Sequence, residues 1–191
     1  MSYDTLSQIF FGNLFCCMTN HWNTKETITL PAELKHWLFD VKRLGVTLAQ
    51  SIPNIGLKCI NEYHAPMDDD EAELLNLNER ASRIRLIKHH HQDNTYVFGR
   101  TIIPQSTYKR YQDCFDSLGN NSIGEHFLFK NTHITRSEFY VKHCPFDLLK
   151  HKLNLNDTFP TNPLWVRASI FTLDAEHQLL IEEFFVHIPP V

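Results

Sequence analysis

The sequence predicts an α+β fold, a single six-stranded antiparallel sheet with helices packed against it. Three observations carry that expectation. From Ala81 onward, β-rich runs alternate with short polar segments, as in antiparallel hairpins. Stretches between those runs space their apolar residues by three and four, as helices do. Charged residues stand inside apolar strands, at Arg83, Arg85, Arg100, Glu182 and Glu183, and such charges are rarely buried without partners.

The chain has 191 residues, a single-domain length, and its 42% hydrophobic content suffices for a sizeable core. The formal net charge of -4 gives no overall attraction to nucleic acid or to an anionic membrane. Any anion must therefore be drawn by local arginines. Five cysteines without CxxC or other metal spacing point to reduced thiols in the cytoplasm and to no bound metal.

Residues 1–28 read as an N-terminal extension ahead of a domain spanning 29–191. The apolar run at 9–18 has no basic lead and is too short to cross a bilayer, so it reads as a helix or arm packed on the domain. Cys16 and Cys17 within it read as packed thiols rather than an acylation site. Thr29, Pro31 and Glu33 resemble a helix start, and Leu34, Trp37, Leu38, Val41 and Leu44 share one helical face that ends near Gly45. Residues 54–64 read as a strand, and the acids at 68–71 as a solvated turn without the spacing of an EF-hand loop.

Residues 83–90 and 95–103 form the expected first hairpin. Residues 106–118 have helical spacing with Gly119 as a stop, and 122–129 read as a short helix. Alternation at 133–142, 164–173 and 178–187 supplies the remaining strands, the last two joined through the polar turn 174–177. The histidines His89, His90 and His91 fall at a strand end and read as a solvated loop mouth, because consecutive imidazoles alternate sides and cannot share one ion. Trp22, Trp37 and Trp165 read as packing residues, since no basic stripe accompanies them.

Period two places Arg83 and Arg85 on one face of their strand, and Tyr96, Phe98, Arg100 and Ile102 on one face of the next. Arginines of two adjacent strands are thereby expected to converge, and guanidinium forks suit carboxylates. Glu183 shares a face with Leu179, Ile181 and Phe185, while Glu182 lies on the other. On these residues alone, structural ion pairs and a pocket for an anion both remain open.

The segment from Val97 to Pro104, reading VFGRTIIP with Ser106 and Thr107 close behind, resembles the "GRTVVP-x-ST" element of bacterial chorismate lyases. Leu118-Gly119 followed by Ile123-Gly124 is similar to that family's "LG…PLG", Ile134-Thr135-Arg136 to its "LTR", the run from Trp165 to Ser169 to "WARRS", and the run from Leu179 to Phe185 to "LLVTEVF". The resemblance implies helical flaps covering a buried ligand pocket on the sheet. It implies cleavage of chorismate into 4-hydroxybenzoate and pyruvate for ubiquinone biosynthesis, with neither metal nor organic cofactor. Arg85 is implied at the ring carboxylate, with the backbone amides of Ile123 and Leu44. Arg100 is implied at the enolpyruvyl carboxylate, and Glu183 at the ring oxygen bearing the leaving group. Ala81 stands where the family often carries a further arginine, and Val186-His187 replaces the end of its "FLP". The expected protein is a cytoplasmic monomer whose partners are chorismate and 4-hydroxybenzoate, with no stable membrane insertion. The alternative is a non-catalytic binding or sensor domain of the same fold, which holds an aromatic carboxylate without turnover.

Overall fold

The structure, a computed structural model, describes residues 21–153 and 164–189. The apolar run at 9–18, with Cys16 and Cys17, lies outside the described residues. An antiparallel sheet is built from β1 (Gly56–Pro66), β2 (Ala81–His91), β3 (Asn94–Pro104), β4 (Thr135–Arg136), β5 (Tyr140–Cys144), β6 (Leu164–Thr172) and β7 (Gln178–Phe185). The strand order is β1-β2-β3-β7-β6-β4, with β5 also paired to β6.

The sheet thus has seven strands, where the sequence suggested six. The extra strand arises because the expected strand at 133–142 is interrupted between Arg136 and Tyr140. There the Ser137 hydroxyl accepts a hydrogen bond from the Ile170 amide at 3.0 Å, standing in for a backbone carbonyl. The two halves pair separately with β6, at Thr172–Phe171 and at Ala168–Leu164.

Helices cover both faces. On one, called the front, α1 (Ala32–Lys35) widens into a π-helical turn over His36–Asp40 and is followed by α2 (Leu44–Ser51). The apolar spacing predicts one continuous helix here. The break comes at Val41, whose amide closes the wide turn onto the His36 carbonyl and whose own backbone is extended. Also on the front are α3 (Gln105–Arg110), α4 (Gln112–Asp116) and α5 (Ile123–His126), the last capped by the Ser122 hydroxyl. On the back lie α6 (Asp69–Leu75) and α7 (Phe146–Leu153). Among the described residues no helix is long and apolar enough to cross a membrane.

Period-two alternation divides the core. Ile84, Leu86, Phe98, Ile102, Val166, Leu180 and Phe184 face the back, against Leu75, Leu149 and Leu153. The front carries two clusters. One gathers Trp37, Leu38, Leu48, Val97, Trp165 and Phe185; the other gathers Ile103, Tyr108, Phe115, Leu118, Phe171 and Leu179. Trp37 and Trp165 are packing residues, as expected.

The acidic stretch expected as a solvated turn is the start of α6. Asp68 and Glu71 form a capping box, and the Asp68 amide donates to Glu71 Oε2 at 2.9 Å. The Glu71 side chain is fully buried because it serves a second purpose. It pairs with Arg100, while Lys152 Nζ lies 2.9 Å from Glu71 and 3.3 Å from Glu182. Arg100 also lies 3.5 Å from Glu182, and Lys142 approaches Asp70 at 2.5 Å. Burial, with the neighbouring charge of Glu182, pushes the Glu71 carboxyl up to about 7, against the pull of Arg100 and Lys152. Burial disfavours the Lys152 ammonium, yet Glu182, Glu71 and Asp70 outweigh it and hold the group above the usual lysine range.

This network ties α6 and α7 to the middle of the sheet, and truncating one member strands the others without water. Arg100→Met is expected to cost about 3–5 kcal/mol of stability in urea unfolding, the range for breaking a buried ion pair. A loss under about 1 kcal/mol would show that the cluster is solvated and dispensable.

Candidate active site

Between the two front clusters the sheet is left uncovered by apolar side chains. Cross-strand registry sets Ile87, Gly99, Glu183 and Arg167 side by side. The neighbouring row is Arg85, Thr101, Ile181 and Ser169, and the row beyond is His89, Val97, Phe185 and Trp165. These strands floor a cleft of about 640 Å³, counting its open mouth, walled by Leu44, Gly45, Ile123, Gly124, Phe129 and Phe139.

Gly99 shapes the floor by what it lacks. A Cβ there would lie 2.8 Å from Cγ1 of Ile87, so only glycine lets Ile87 and Glu183 flank that position. The floor is consequently open at its centre, beside the Glu183 carboxylate.

Glu183 is held by Arg167, whose Nε donates to Glu183 Oε2 at 2.5 Å. The fully buried Arg167 guanidinium also donates through Nη1 to the Trp37 carbonyl at 2.6 Å and the Val41 carbonyl at 2.8 Å. The Phe139 ring lies 4.2 Å from its Cζ. With both neighbours fixed, the carboxylate has a defined orientation in the cleft.

The mouth is bridged by an ion pair. Arg43, just before α2, donates from Nε to Glu125 Oε1 of α5 at 2.9 Å, and its Nη2 contacts the other carboxylate oxygen. Leu44 and Ile123 therefore open two helices that face each other across the cleft. First-turn amides of a helix have no carbonyl partner within it, which leaves these donors for a ligand.

The sequence-predicted residues divide into three groups. Glu183, Leu44 and Ile123 line the cleft together. Arg85 shares their face, but its guanidinium is turned toward β1. It donates to Glu62 at 2.5 Å and to the carbonyls of Gly119 and Asn121 at 2.8 and 2.9 Å. Gly119 turns the chain there with φ of +51°, which aims that carbonyl back at the guanidinium. Arg100 does not join them. Arg85 pairs with Thr101 and Arg100 with Leu86, so the two arginines point to opposite faces, and the expected convergence does not occur. Arg100 meets Glu71 behind the sheet.

Three cleft residues were missed as functional candidates: Arg167, Arg136 and His89. Arg167 and Arg136 stood in motifs already quoted, and Arg167 is a charge inside an apolar strand like Arg100. His89 belongs to the run expected at a solvated loop mouth. Instead β2 continues through His91, and alternation with Arg85 and Ile87 turns His89 inward, where it is only 7% exposed. Burial pushes its imidazole down to about 4; Glu183 opposes this and His90 adds to it.

The family model described as chorismate lyase matches residues 17–191, and the chain belongs to that family. The chorismate pyruvate-lyase of Pectobacterium atrosepticum is 26% identical over 175 residues, covering 91% of this chain and 88% of that protein. The probable chorismate pyruvate-lyase of Coxiella burnetii is 27% identical over 124 residues, covering 64% of this chain and 65% of its own length. Among solved structures, the PhnF C-terminal domain superposes with a TM-score of 0.54 at 8% identity, covering 74% of this chain and 88% of that one. The C-terminal domain of the histidine utilization repressor from Pseudomonas syringae pv. tomato gives 0.51 at 12% identity, covering 69% and 91%. At these identities the structural likeness establishes the fold.

The buried His89 makes stability acid-sensitive. Above pH 6.5 neither state holds the extra proton. As the pH falls through 6.5 the unfolded chain binds it, while the folded chain stays neutral until about pH 4. Between neutral pH and pH 4, wild type is expected to lose on the order of 3 kcal/mol more than His89→Gln in urea titrations. Glu71 acts in the opposite sense in both proteins and cancels. Parallel curves would mean that His89 is not held neutral.

Proposed function

We propose that this cleft converts chorismate to 4-hydroxybenzoate and pyruvate. The observation that carries the reading is a carboxylate, Glu183, fixed by a buried arginine beside an unfilled glycine position and roofed by two helices. It is supported by the chain's family and by the lyases it is similar to.

Loss of the enolpyruvyl group requires a ring C–H bond and the ether C–O bond to break as the aromatic ring forms. The ring proton leaves, its electron pair enters the ring, and the departing oxygen takes the electrons of the C–O bond. Glu183 receives that proton and returns it to the departing oxygen, releasing the enol of pyruvate, which ketonises to pyruvate, so the carboxyl ends the cycle as it began. Arg167 keeps Glu183 oriented throughout and is a positioning residue. The cleft contributes a fixed substrate geometry and exclusion of water, which let aromatisation drive the reaction.

In this reading the ring carboxylate replaces Glu62 as the partner of Arg85, next to the amides of Leu44 and Ile123. Product release then returns Arg85 to Glu62. The protein works as a cytoplasmic monomer, without a cofactor, and supplies 4-hydroxybenzoate for ubiquinone synthesis. A binding-only relative would need the arginine but not the proton carrier, and turnover separates the two.

Purified protein incubated with chorismate, followed chromatographically, is expected to yield 4-hydroxybenzoate. Glu183→Gln should lower kcat by roughly 10²- to 10⁴-fold, the usual weight of a positioned proton carrier. Arg85→Ala should weaken 4-hydroxybenzoate binding about 10- to 100-fold, the loss of a hydrogen bond to a charged group. Full turnover by Glu183→Gln would sink the proton-carrier role. Tight 4-hydroxybenzoate binding by wild type without product would leave the binding-only domain.

A further inference from the structure

A substrate with two carboxylates needs a second cation, and Arg100 is on the wrong side of the sheet to supply it. Resting on the lyase reading, the geometry points to Arg136 as the residue that binds the enolpyruvyl carboxylate of chorismate.

The charges around the cleft single it out. Arg167 is paired with Glu183, Arg43 with Glu125, and Arg85 with Glu62. Lys42 lies 3.6 Å from Glu138 at the surface. Arg136 lines the same cleft, and its guanidinium has no carboxylate oxygen within 4 Å among the described residues. Among the described residues its one side-chain hydrogen bond is from Nη1 to the Lys42 carbonyl at 2.5 Å. A guanidinium has five N–H donors, so most of its fork is left for an incoming anion.

The surroundings fix that fork in place. Rings of Phe139, Phe171 and Phe129 lie 4.6, 5.8 and 5.9 Å from its Cζ. They hold the guanidinium by cation–π attraction and cover part of it, without offering a counter-charge. Burial and the nearby Arg167 charge disfavour the cation and outweigh the opposing pull of Glu183 and Glu138, so an anion from outside would be welcome there. Arg136 is carried on β4, which pairs with β6, the strand that carries Arg167. An anion at Arg136 thus lies toward the Glu183 end of the floor, on the side away from Arg85. That ordering matches a ligand whose ring carboxylate and enolpyruvyl carboxylate flank the bond to be broken.

The assignment predicts discrimination between substrate and product, because 4-hydroxybenzoate has lost the second carboxylate. Arg136→Gln should raise KM for chorismate about 10- to 100-fold while leaving Kd for 4-hydroxybenzoate within about twofold. Arg136→Lys should fall between, since a point charge replaces a planar fork. Arg85→Ala, by contrast, should weaken both ligands. Unfolding curves confirm that each variant is folded, and if Arg136→Gln is not, Arg136→Lys carries the comparison. Should wild type bind chorismate without turnover, Kd replaces KM. Equal weakening of both ligands by Arg136→Gln, or no weakening of either, overturns the assignment while the lyase reading stands. Wild type that is folded and binds neither ligand overturns both.

Discussion

Two neighbouring carboxylates, Glu182 and Glu183, must be neutralised on opposite faces of one buried strand, and much of the molecule follows from that constraint. Behind the sheet, Glu182 is fully buried and depends on Lys152 and Arg100. Those cations in turn demand Glu71, and Lys152 and Lys142 draw in Asp70. The helices α6 and α7 are thereby pinned to the central strands by charge as well as by Leu75, Leu149 and Leu153. In front, Glu183 depends on Arg167, and Arg167 completes its hydrogen bonds on carbonyls of the π-helical turn. That requirement positions α1, and through it the start of α2 at Leu44. A buried charge left without a partner costs far more than an exposed one, so each link is compulsory once the first is made.

Much of the fold was legible because strand and turn patterns are local. The hairpin of β2 and β3, the strands β6 and β7, and the Gly119 turn all follow from alternation and turn residues. The misreadings have a common physical origin: they concern what a residue meets after the chain has folded. Whether Arg85 and Arg100 converge depends on the parity of the β2–β3 register, which the bulge at His89 and His90 sets. Three histidines in a row read as polar until one is turned beneath α2, where Cε1 of His89 would lie 3.6 Å from a Cβ on Gly45. Glu71 reads as one acid of a surface cluster until Arg100 and Lys152 arrive from distant segments. Leu44 reads as the end of a helix, yet the wide turn at Asp40 makes it the start of the next.

The site was legible to the same degree. A carboxylate inside Leu179–Phe185 announced itself by chemistry, and Leu44 and Ile123 reached the cleft with it. The partner that fixes the carboxylate was not recognised, although Arg167 is as anomalous in its apolar strand as Glu183 is in its own. Cross-strand pairing supplies what single-strand reading lacks: Arg167 and Glu183 are registered neighbours on adjacent strands. A shared fold does not by itself determine chemistry. What is particular to this chain lies in the charges that the sheet presents to its cleft.

The cleft is open at its mouth, and the charges that brace its floor and its roof differ in burial. The floor is braced by buried ions on both sides and by Gly99, so it has little freedom to reshape. The roof is joined across the mouth by Arg43 and Glu125, whose side chains are 53% and 34% exposed. An exposed pair of that kind contributes little to stability. Separating α2 from α5 at the mouth therefore costs little, whereas moving Glu183 would break Arg167 from its carbonyls and from its carboxylate together. The mouth can open while Glu183 keeps its orientation.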